Sequence, residues 1–100
     1  MTKSKAMEMR TSIERTALSS GLGLPDPTRP VTVWEEYPTG SNEFGAGPVD
    51  VFPDVESAKR ASNRAAFRGR DLTVYWNLGN RVVLLVLRDG RETDQFGFEN

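Results

Sequence analysis

The sequence predicts an α+β domain: one Ala- and Arg-rich helix packed on a mostly antiparallel sheet of four to five strands, in the order β-β-α-β-β-β. Three features carry that expectation. Apolar residues alternate with a period of two over 31–37 and again over 72–76, as in strands that turn one face inward. Between them, from Asp54 to Gly69, apolar positions recur at helical spacing. Asp89-Gly90 then separates two strand-like runs, a strong hairpin signal. A chain of 100 residues accommodates one such domain, placed at 31–100, with 1–30 as a distinct N-terminal segment.

In that first segment Ala6, Met9, Ile13 and Ala17, with Leu18 alongside, fall at near-helical spacing, and Ser19-Ser20-Gly21 would end a helix there. A helix this short is marginal in water unless its apolar face covers something, so the segment reads either as a short docked helix or as a mobile tail. Gly23-Leu24-Pro25-Asp26-Pro27 cannot continue it. The first strand places Val31, Val33, Glu35 and Tyr37 on one face and Thr32, Trp34 and Glu36 on the other. Residues 38–48 are dense in turn formers and read as a long connection, followed by a short strand from Val49 to Phe52.

Asp54 is a good N-cap and Glu56 suits the first turn of the helix that follows. Val55, Ala58, Ala61 or Ser62, and Ala65 make its narrow inner stripe, and Gly69 is its stop. Next, Leu72, Val74 and Trp76 share a strand face opposite Thr73 and Tyr75, and Asn77-Leu-Gly-Asn80 forms a turn. Val82–Leu87 is apolar on both faces, which marks a central strand covered on each side. The helix supplies one cover and the N-terminal segment is the candidate for the other; the alternative is a self-association surface. Glu92–Phe98 is the returning strand.

Composition narrows the chemistry. The chain has no Cys and no His, so disulfides, thiolate metal sites, cysteine nucleophiles and histidine-based triads or zinc sites are excluded. Its net charge of −1 conceals an alternation: +2 over residues 1–20, −4 over 21–53, +3 over 54–70 and −2 over 71–100. That pattern suggests one basic surface on an otherwise acidic body and argues against general nucleic-acid coating. No apolar run approaches membrane-spanning length and the N-terminus has no apolar signal core, so a cytoplasmic location is expected.

Catalytic signatures are sparse. Glu35 and Glu36 face opposite sides of a strand and form no carboxylate pair. Asp50, Asp54 and Glu56 read as capping charges, and Asp89, Glu92 and Asp94 as solvated charges beside a hairpin. Gly21-Leu-Gly23 and Gly45-Ala-Gly47 lack the strand-to-helix setting of a phosphate loop. Nothing sets a base beside a nucleophile. The expectation is a non-enzymatic protein with neither metal nor cofactor.

The basic helix is the informative feature. Arg60, Arg64 and Arg68 recur every four residues, Lys59 lies beside them, Arg70 follows, and Asn63 shares the exposed side. One reading is a solvated outer face; the other is a binding surface, because four of the five basic residues are Arg, whose planar fork suits carboxylate and phosphate. Phe44, between Glu43 and Gly45 in the long connection, is either a loop anchor tucked onto the body or an exposed anchor for a partner pocket.

Ser57-Ala-Lys-Arg60, Phe67-Arg-Gly69, the strand from Leu72, the run Val82–Leu87 and Asp89-Gly90-Arg91 together resemble a family of small phage proteins, the type I-F anti-CRISPR inhibitors. The resemblance covers residues from about 49 to about 93. It implies one helix on an antiparallel sheet and a non-catalytic inhibitor that binds backbone subunits of a crRNA-guided surveillance complex, blocking target DNA. Lys59 and Arg60 would lie on the partner-facing helix. Three functions are therefore expected in turn: a protein-binding inhibitor or adaptor, a nucleic-acid-binding module using the Arg row, or a homo-oligomeric structural protein.

Overall fold

Thr2 opens the first helix, α1 (Lys3–Ser19), its hydroxyl accepting the Lys5 amide at 3.1 Å. At the other end the Ser20 amide bonds Thr16 O and Gly21 takes a positive φ of 80°, so the helix stops where the small residues begin. The structure is a computed structural model that describes residues 1–21, 23, 28, 31–38 and 44–99, the side chains of 37, 38 and 44 excepted. After α1 come β1 (Val31–Pro38), β2 (Phe44–Phe52), α2 (Val55–Ser62), a single 3-10 turn (Ala65–Phe67), β3 (Leu72–Asn77), β4 (Arg81–Arg88) and β5 (Arg91–Glu99).

The five strands form one sheet in the order β2-β1-β3-β4-β5, antiparallel throughout. Each face carries one helix. Ala6, Met9, Ile13 and Ala17 of α1 are buried against Trp34, Ala46, Tyr75, Val82, Leu84 and Phe98. On the opposite face Ala58 of α2 meets Val31, Val33, Leu72, Val74, Val83, Leu85 and Leu87. Every residue from Val82 to Leu87 is buried, alternate side chains feeding the two cores. Within the N-terminal segment, Lys3–Ser19 is thus a docked helix and supplies the second cover. The alternative, a self-association surface at Val82–Leu87, is corrected, because both faces of that strand lie inside the molecule. Leu18, off the inner stripe, is 64% exposed.

Two elements differ from expectation. β2 begins at Phe44 rather than Val49, taking in Gly45-Ala-Gly-Pro48. Small side chains there let α1 lie close: Ala46 is fully buried and its carbonyl accepts the Thr16 hydroxyl at 3.4 Å. Pro48 is tolerated because β2 is an edge strand, and the register slip between Val33 and Trp34 leaves Val49 unopposed as a bulge.

The second difference is α2. Asp54 caps it as expected, accepting the Ser57 amide at 2.7 Å, but the helix ends at Ser62 instead of continuing to Arg68. The fully buried Ser62 hydroxyl donates to Lys59 O and accepts the Gly90 amide, both at 2.8 Å, while the Asp89-Gly90 turn packs on Asn63. Helical bonding gives way to tighter ones, Asn63 N to Arg60 O and Arg64 N to Ala61 O. Ala65, expected on the inner stripe, is consequently exposed.

Candidate functional site

The break at Asn63 rearranges the arginines. Arg60 remains on α2, whereas Arg64 and Arg68 flank the 3-10 turn with extended backbones, so the three do not form one helical row. The hairpin between β4 and β5 staples to the sheet the segment that carries them. Asp89 accepts the Gly69 amide at 2.7 Å, Arg88 donates to Gly69 O at 2.9 Å, and Gly90 abuts Asn63. Asp89 and Gly90 both take positive φ, 51° and 82°, as the tight hairpin turn demands.

The expected binding residues therefore divide. Arg70 is already paired: its Nε and Nη2 donate to the two Glu35 oxygens at 2.6 Å each, and its guanidinium lies 5.2 Å from the Phe67 ring. The Arg70 fork and its charge hold the Glu35 carboxyl below the usual glutamate range. Lys59 sits between Glu56 at 3.8 Å and Glu92 at 3.9 Å. Arg60 donates to the Ser57 hydroxyl at 3.1 Å. Arg60, Arg64 and Arg68 are exposed and make no ion pair with any described residue. Asn63 is exposed beside them. Phe44 opens β2, and its side chain lies outside the described residues.

One residue was missed. Arg91 is exposed, makes no ion pair with a described residue, and stands opposite Arg88 across the hairpin. Like charges directly opposite cost stability, and here Arg88 is turned to Asp71 at 3.8 Å and to Gly69 O, which leaves Arg91 as the fork without an ion pair. The signal was present in the sequence, because a two-residue Asp-Gly turn sets the residues on either side of it opposite each other. Arg60, Arg64, Arg68 and Arg91 are thus four exposed forks without an ion pair to a described residue, Arg60 alone feeling a carboxylate, that of Asp54.

Elsewhere the polar groups are accounted for. The Tyr75 hydroxyl donates to Glu14 at 2.6 Å, and Glu14 also accepts Arg10 at 3.3 Å, tying α1 to the sheet. Burial and the Glu14 carboxylate push the Tyr75 phenol far above its ordinary range, so it stays a donor. Among the described residues no group of three or more acidic side chains is placed to hold a metal ion. No helix among them is long and apolar enough to cross a membrane. Compared with protein-family models, curated proteins and solved structures, the chain matches none.

Proposed function

We propose that the chain is a non-catalytic binding protein that engages an acidic surface on a macromolecular partner through Arg60, Arg64, Arg68 and Arg91. The observation that carries this reading is the set of four exposed arginines at one end without an ion pair to any described residue. Arginine forks match carboxylate and phosphate, and a guanidinium gives up its water more readily than an ammonium does. A protein partner is the first form of this reading. The resemblance to type I-F anti-CRISPR proteins gives it a concrete version, an inhibitor that occupies a surveillance complex and keeps target DNA out. The same forks on a nucleic-acid backbone are the second form, since a guanidinium suits phosphate as well as carboxylate.

The test is capture from bacterial lysate, with and without nuclease, using the native chain and Arg64→Glu/Arg68→Glu. A stoichiometric protein that survives nuclease and disappears with the double variant is the expected result. Recovery of nucleic acid alone, abolished by nuclease and falling linearly in log salt, transfers the function to phosphate binding. Equal recovery by both proteins removes the arginine end from consideration. Both substitutions sit on exposed side chains, so the melting temperature should hardly move.

A further inference from the structure

A second cationic site lies on a different part of the molecule. A groove of about 800 Å³ opens between the start of α1 and the β4–β5 strands. Three cations from two elements line it: Lys3 and Arg10 of α1, and Arg81 at the start of β4. One carboxylate, Glu99, also lines it, directly opposite Arg81 in the β4–β5 register, which leaves three cations against one anion. The first turn of α1 carries no acidic residue, and the positive end of the helix dipole at Lys3 is therefore not offset locally.

The cations are placed by neighbours. Lys3 Nζ and the Arg10 guanidinium lie 5.7 and 5.6 Å from the Phe98 ring centre, and Phe98 is itself buried beneath α1. Arg81 lies across Gly97, where a Cβ would collide with its guanidinium. Glycine at 97 thus leaves a flat seat that brings the Arg81 fork over the edge strand. Lys3 and Arg81 make no ion pair with any described residue, and Arg10 shares Glu14.

We propose that this groove binds a phosphoryl group, with Arg81 and Lys3 as the main ligands and Arg10 adding charge. A phosphoryl group satisfies a planar fork and an ammonium together, and the groove is ample for a diphosphate. The site stands apart from the Arg60, Arg64, Arg68 and Arg91 end and does not depend on the reading given to that end. The phosphoryl group is that of a small phosphate compound or of a nucleic-acid backbone.

The experiment is an NMR titration that follows the Gly97 amide and the Arg81 Nε–H, with sodium pyrophosphate and with a short oligothymidylate as separate probes. Sodium chloride at matched ionic strength is the blank. Saturable shifts with pyrophosphate, weakened on the order of tenfold by Arg81→Gln and unaffected by Arg64→Glu/Arg68→Glu, are expected and identify a small phosphate ligand. Saturable shifts at the same two signals with the oligonucleotide alone keep the site and assign it to a backbone. Shifts that chloride reproduces, that persist unchanged in Arg81→Gln, or that appear only around Arg64 and Arg68 overturn the proposal.

Discussion

Ser62 joins two elements through one hydroxyl, donating to Lys59 O and accepting the Gly90 amide at 2.8 Å with no exposure to water. Ser62→Ala leaves that amide without its partner, and a cost of about 1–3 kcal/mol is expected in chemical denaturation, with the midpoint lowered and the slope unchanged. Glu35 acts differently, because its clamp on Arg70 is a matter of charge. Its folded-state carboxyl titrates below the usual range, so the clamp contributes fully above the ordinary glutamate value and is lost as pH falls through the lowered one. A melting-temperature profile should therefore fall on the acid side, and Glu35→Gln should reduce that fall while lowering the plateau. Asp54 adds to the same limb, since the Ser57 amide and hydroxyl hold its carboxyl low at the α2 cap.

At the scale of elements, the strands with strict alternation were legible, and so was the helix start at Asp54. The faces assigned to β1 and β3 match the two cores, with Trp34 and Tyr75 under α1 and Val33 and Val74 under α2. Two-sided burial of β4 pointed to a second cover, and α1 occupies that place. The start of β2 was hidden because Gly45, Gly47 and Pro48 are turn formers by composition, whereas here they serve a close helix approach and a bulged edge. The end of α2 was hidden for another reason: local spacing favours continuation, and a hydroxyl twenty-eight positions from its partner stops it. As a result the arginine row is broken, and Arg91 adds a fork from a hairpin. Docking of α1 rests on a narrow stripe, so Ile13→Ala should cost about 2–5 kcal/mol and speed amide exchange throughout α1 before it affects α2.

For the whole molecule, the absence of His leaves no side chain with an ordinary titration near neutrality. Stability measured by thermal melting should stay flat from about pH 6 to about pH 8, with any slope confined to the carboxylate range. Both edges of the sheet are interrupted as well. Val49 is unopposed in β2, and the slip between Val86 and Leu87 leaves Thr93 unopposed in β5, its hydroxyl returned to Val86 O at 3.2 Å. Such bulges bend an edge away from straightforward pairing with another chain.

The two-sided cover of β4 also orders events during synthesis. The α1 stripe is made first, yet its deepest contacts come late: Glu14 waits for Tyr75, sixty-one positions on, and Ile13 shares its core with Val82 and Leu84. Until β4 leaves the ribosome, α1 has only Trp34, Ala46 and Tyr75 of β1, β2 and β3 to lean on, without Val82, Leu84 and Phe98. Nascent chains arrested before β4 should therefore remain open to protease along α1. Those long enough to expose β5 should become resistant in a single step, with the first-made helix among the last parts to be locked in place.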